Sequence, residues 1–212
     1  MDDHLLRFRE DTQYVFIDCE TENLCLNHVC NLPWQIGMIK LEGNKKVLDK
    51  DLYISWDREL NVSKEAARIT RFSPSNYKKR AIPYAEIFPT VKDWLDNADY
   101  IVGHNVLGFD IYLIKSYYEQ MGQSYKHLLP KVIDTNCIAR GLKMGIPFKR
   151  DESFLTYQYK ILHLRKRGLK SSLQALGKEY DLDFDPDNLH DALNDLELNI
   201  KVWNKIKWHI DI

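Results

Sequence analysis

The run Tyr14-Val15-Phe16-Ile17 is aromatic and β-branched throughout and ends at once in Asp18-Cys19-Glu20. Such a run reads as a buried strand. Strand periodicity then puts both carboxylates on one face, about 7 Å apart along the chain. Two like charges at the end of a buried strand repel and desolvate each other unless cations neutralise them. The bland alternative is a pair of solvated carboxylates on a strand rim. D-x-E by itself decides nothing: this composition gives about one by chance, and three occur, at Asp18-Glu20, Asp57-Glu59 and Asp195-Glu197. Only the first directly follows an apolar strand.

The rest of the chain supplies partners for that strand. Residues 34–41 form a second apolar-rich run, and Glu42-Gly43-Asn44 turns it into residues 46–54 as a hairpin. Ser63 is placed to cap a short helix through Ala66, Ala67 and Ile69. Ile87, Val91, Trp94 and Leu95 recur at helical spacing, which predicts an amphipathic helix over 83–97 with Pro83 in its first turn. Tyr100-Ile101-Val102-Gly103 is another short strand, leading into a helix with Leu113, Ile114 and Tyr117 that stops at Gly122. Asp134 is suited to cap a helix from Thr135 to Met144, and further helices are expected over 171–180 and 191–208. Residues 148–170 are aromatic, then basic, with weak periodicity, and read as an insertion or mobile flap. Strands first, then strands among helices, indicate a single α/β domain over residues 1–212, without repeats or an obvious linker.

Composition removes several classes. The chain has 212 residues, 44% hydrophobic and 29% charged, and its net charge is −1. That excludes fibrous, mucin-like and disordered readings as well as a histone-like coating protein. No apolar run approaches the roughly 20 residues of a spanning helix. The charged start of the chain carries no apolar signal segment, so no membrane partner and a cytoplasmic location are expected. Four cysteines lack C-x-x-C spacing. Cys25, His28 and Cys30 lie close enough to raise a zinc site, but a fourth ligand and a downstream cluster are missing.

Two more motifs carry acids at helix starts. Gly103-His104-Asn105-Val106-Leu107-Gly108-Phe109-Asp110 follows a strand and opens a helix, whose positive end suits Asp110. His104 alone reads more readily as a hydrogen-bonded structural residue than as a metal ligand. His190-Asp191-Ala192-Leu193-Asn194-Asp195 starts the last helix, with Asp195 able to face the sheet and His190 at the entrance, where an imidazole can take a proton from water.

Taken in order, strand-D-x-E, then H-N-…-F-D-helix, then H-x-x-x-x-D-helix resembles the DEDDh (DnaQ-like) 3′→5′ exonucleases over about residues 13–205. Asp18-Cys19-Glu20-Thr21-Glu22-Asn23-Leu24 is similar to that family's D-x-E-T-T-G-L, residues 62–70 to the helix and turn before its substrate loop, and Ile133-Asp134-Thr135 to its I-D-T. Residues 170–176 resemble its K-L-x-x-L stretch. The resemblance implies an RNase H-like fold: a mixed central β-sheet flanked by α-helices. It implies that Asp18, Glu20, Asp110 and Asp195 hold two Mg²⁺ or Mn²⁺ ions and that His190 is the general base. Hard carboxylate oxygens suit such ions, which activate water and stabilise a leaving 3′ oxygen.

The implied substrate is the 3′ end of single-stranded nucleic acid, with DNA favoured, RNA possible and nucleoside 5′-monophosphates released. No obligatory protein partner is evident. By resemblance Thr21, Leu24, His104 and Asn105 lie at the substrate. Phe72 offers a stacking face, and Arg165-Lys166-Arg167 contacts to the phosphate backbone. Lys78-Lys79-Arg80 forms a second basic cluster. Two departures stand out: Glu22-Asn23 replaces Thr-Gly, adding negative charge near incoming phosphates, and the second motif is one residue longer, which Gly108 could absorb. The alternative is a catalytically silent nucleic-acid-binding or polymerase-accessory domain, against which stands the presence of all five acid and imidazole positions.

Overall fold

The computed structural model describes residues 5–26 and 31–212. Its strands are Gln13–Thr21 (β1), Pro33–Glu42 (β2), Lys45–Ser55 (β3), Ile82–Pro83 (β4), Tyr100–Gly103 (β5) and Val132–Asp134 (β6). They form one sheet in the order β4-β3-β2-β1-β5-β6. β1, β2 and β3 are an antiparallel meander, while β5 and β6 continue parallel to β1 and to each other. The hairpin between β2 and β3 turns at Gly43, whose φ of 57° and close approach to the Glu10 carbonyl leave no room for a side chain. This is the α/β domain that the pattern of strands and helices predicted, with the mixed sheet flanked by helices that the family resemblance implied.

The helices are Lys64–Thr70 (α1), Pro74–Arg80 (α2), Tyr84–Asn97 (α3), Asp110–Gln120 (α4), Thr135–Met144 (α5), Phe154–His163 (α6), Leu173–Glu179 (α7) and Ala192–Ile206 (α8). Alternation along β1 sorts them into two layers. Val15, Ile17 and Cys19 face α3 and α4, packing with Ile87, Val91, Leu113, Ile114 and Tyr117. Tyr14 and Phe16 face the other way, toward Ile138 of α5, Leu176 of α7, and Leu196, Val202 and Trp203 of α8. Asp18 and Glu20 share the parity of Tyr14 and Phe16, so the strand aims them at the α8 layer. Across the ladder, Asp18 pairs with Gly37 on β2. A methyl group on Gly37 would come within 2.7 Å of the Ala192 Cβ, so the missing side chain lets the start of α8 lie on the sheet beside Asp18.

Two segments differ from the sequence reading. Within 148–170, expected as an insertion or flap, residues 154–163 form α6, with Tyr157, Gln158 and Ile161 buried against α5 and the edge of the sheet. Its aromatic residues divide between clusters, Phe154 and Tyr157 packing with Phe148 and Tyr159 with the α3–α4 layer, which blurs the periodicity. Residues 74–80 form α2, which was not anticipated; Ser73 caps it and Pro74 opens it. Lys78-Lys79-Arg80 is its last turn, and Arg80 is tied to Asp51 at 2.6 Å and lies over the Tyr53 ring. Pro83 caps α3 rather than standing in its first turn.

Candidate active site

The carboxyl ends of β1 and β5 diverge after a short parallel pairing that reaches Phe16 and Val102. Cys19 therefore has no β5 partner for its N–H, which donates instead to Asp110 Oδ1 at 3.0 Å. Asp110 is the first residue of α4 and is buried, so the helix start plugs the fork between the strands. From the opposite layer α8 brings Asp195. Carboxylate oxygens of Asp18, Glu20 and Asp195 all lie within 4.8 Å of one another.

Burial and like charge crowd this cluster. Burial, followed by Asp110, Glu20, Asp195 and Asp191, pushes the Asp18 carboxyl well above its usual range. Glu20 is raised in the same way, by burial and then Asp195, Asp110 and Asp191. Burial lifts Asp110 to about 7 against the hydrogen bonds it accepts, and Asp195 to about 6 against the His190 N–H. Among the described residues, every neighbour acting on Asp18 or Glu20 is another acid. Oxygen-only donors gathered in this way fit a hard divalent cation. The residues present therefore suit the metal that this site implies.

His190 stands exposed just before α8, in the left-handed region with φ 67°. Its backbone N–H donates to Asp195 Oδ1 at 3.2 Å, which leaves the ring unconstrained by that contact. Asp191, not singled out from the sequence, caps α8 by accepting from the Asn194 N–H and adds its charge to the cluster. Its position next to His190 was the only available signal.

The loop 104–109 is held from below by Asp134. Asp134 caps α5 and also accepts from the Asn105 and Leu107 N–H groups at 3.0 Å each. Asn105 takes φ 68°, and Gly108 donates to its carbonyl at 2.9 Å, so the longer second motif is absorbed as a tight turn. His104, expected at the substrate, is turned inward: Nδ1 meets the Thr135 hydroxyl at 3.0 Å and Nε2 the Ser171 carbonyl at 2.9 Å. Burial lowers its pKa to about 4, so it is a neutral ring with Nε2–H as donor.

Other residues expected at the substrate are spread around the site. Thr21 is buried and its hydroxyl donates to the Asn23 carbonyl at 2.6 Å, while Leu24 is exposed. Phe72 packs edge-on against Trp34 and tilted against Tyr77, which uses much of its ring. Arg165, Lys166 and Arg167 are exposed on the α6–α7 connection, whose end at Ser171 is tied to His104. Glu22, expected near incoming phosphates, is instead buried in a bidentate pair with Arg58, at 2.7 and 2.6 Å, and accepts from the Leu32 and Asn61 N–H groups. Its charge is thus neutralised within the fold. Cys25 is exposed; His28 and Cys30, the other candidates for a zinc site, lie outside the described residues.

The exonuclease family RNase_T matches residues 15–203. The chain belongs to this exonuclease family. It shares its fold with Escherichia coli exonuclease I: the complex with a dT13 oligonucleotide aligns with a TM-score of 0.70 at 16% identity, covering 93% of this chain and 41% of that one. The complex with dA16 gives 0.72 at 16% identity with the same coverage. A ligand-free exonuclease I gives 0.70 at 15% identity, covering 94% and 42%. The chain therefore spans about two fifths of the length of these relatives. Comparison with curated proteins returns no match. Family membership supports a nuclease, and the acidic cluster provides a candidate site for the divalent ions that such enzymes generally use. Among the described residues, no helix is long and apolar enough to cross a membrane.

Proposed function

We propose that this chain is a metal-dependent 3′→5′ exonuclease that hydrolyses phosphodiester bonds at single-stranded 3′ ends and releases nucleoside 5′-monophosphates. The observation that carries the reading is the convergence of Asp18, Glu20 and Asp195 within 4.8 Å, where the neighbours that act most strongly on Asp18 and Glu20 are other acids. Together with Asp110 they would hold two Mg²⁺ or Mn²⁺ ions. Ions bound there supply water activation and charge stabilisation at the leaving oxygen. His190 is exposed at the mouth of the site, where its ring can accept the proton of the attacking water. Thr21 and Leu24 flank the end of β1 and would hold the terminal nucleotide. Asn105 and the Arg165-Lys166-Arg167 loop would meet the strand leading away from it, through charge on the phosphates. His104 and Phe72 contribute from behind, by fixing the loops they pack into. DNA is favoured because the exonuclease I neighbours are bound to dT13 and dA16.

The test is product analysis on matched DNA and RNA oligomers, single- and double-stranded, blocked at either end, with Mg²⁺, Mn²⁺ or a chelator. Mononucleotides released from free 3′ ends of single-stranded DNA, only with metal, support the proposal. Absence of hydrolysis on every substrate, or cleavage that a 3′ block leaves untouched, refutes it.

A further inference from the structure

Asp110 owes its place to a turn that sequence distance hides. Asp134 is fully buried and accepts four backbone N–H groups. Asn136 and Cys137, at 3.0 and 3.1 Å, are the ordinary work of a helix cap. Asn105 and Leu107 are not, since they come from the loop that ends in Asp110. Oδ1 takes Asn105, Asn136 and Cys137, and Oδ2 takes Leu107 alone. The Asp134 charge also repels Asp110. An asparagine would cap α5 without that repulsion, so the second carboxylate oxygen is the part that helix capping does not require.

Asp134 is itself held by α6. Gln158, fully buried, accepts from the Asp134 N–H through Oε1 at 2.6 Å and donates from Nε2 to the Val132 carbonyl at 2.9 Å. β6 is the last strand of the sheet, and its outward backbone groups would otherwise be buried without partners. One side-chain amide thus takes the place of a missing strand at the residue that organises the turn.

We propose that Gln158 and Asp134 are positioning residues that set the 104–109 turn and, through it, Asp110 in the fork between β1 and β5. The inference rests on the nuclease reading for its purpose, but its geometry is testable without activity. The reporter is the Cys19 amide, which is protected by Asp110 rather than by a neighbouring strand. Hydrogen exchange is followed by NMR on the metal-free protein for wild type, Asp134→Asn and Gln158→Leu. The second variant leaves the α5 cap intact and serves if the first fails to fold. Either variant is expected to speed exchange at Leu107 and Cys19 about tenfold or more, while Val15 and Phe16 keep their protection. Calorimetry should show Mn²⁺ affinity falling roughly 10–100-fold, as for other outer supports of metal ligands. Unchanged exchange at Cys19, or an equal acceleration along all of β1, overturns the proposal and leaves a purely structural role. Wild type that binds Mn²⁺ yet cleaves nothing would sink the nuclease reading alone, since the Cys19 result stands apart from it.

Discussion

At the scale of single residues the site is a balance between repulsion and ligation. Asp18→Ala or Asp195→Ala is expected to reduce hydrolysis to background while the metal-free protein melts no lower than wild type, because each substitution relieves crowding among like charges. Turnover at the wild-type rate would remove these residues from the site. His190→Ala should slow the chemical step about 10²–10⁴-fold, the usual loss of a general base, and single-turnover kinetics measure it. Glu22 shows the opposite case, a buried acid whose neighbours answer it. Glu22→Ala strands the Leu32 and Asn61 N–H groups and removes the carboxylate partner of Arg58, which is 38% exposed, so the ion pair is discounted for solvent. A loss of about 2–4 kcal/mol in urea unfolding is expected. A smaller effect on apparent metal affinity would separate its role from that of Glu20.

At the scale of elements, the start of α8 is the part on which geometry depends most. It brings Asp195 and carries His190 and Asp191, and it can lie on β2 only because Gly37 has no side chain. Gly37→Ala forces a methyl group against Ala192, and overpacking of this kind costs about 1–3 kcal/mol. The displacement should also weaken Mn²⁺ binding, so that activity recovers partly at high metal concentration. A Gly37→Ala protein with wild-type stability and metal dependence would show that α8 has slack there. α6 teaches the same lesson from the other edge: a helix that looked like a flap supplies Gln158 to the backbone of β6.

For the molecule as a whole, the four acids couple folding to pH and to metal. Asp110 and Asp195 have folded-state pKa values raised to about 7 and about 6, above those of an unfolded chain, as are Asp18 and Glu20 in direction. At these four groups the folded protein thus binds more protons than the unfolded one, and their contribution is full at low pH and lost as pH rises through the folded pKa values. Without metal, the melting temperature should fall from about pH 4 toward pH 7; with Mg²⁺ or Mn²⁺ the slope should flatten or reverse. A metal-free profile that rises across this range would contradict the crowded-acid picture. Four of the six strands, the caps at Ser63 and Asp134 and the three acidic motifs were legible in the sequence, because apolar alternation, turn chemistry and the order of motifs are local or linear properties; the order of the strands in the sheet was not. Asp134 could be read as a cap for the same reason. Only the folded chain decided that Asp134 also gathers the 104–109 turn, that Glu22 is neutralised by Arg58, that His104 faces inward and that Gln158 replaces a strand. Each of those depends on which distant group happens to lie within about 3 Å of a side chain, and residue spacing along the chain carries no information about that distance.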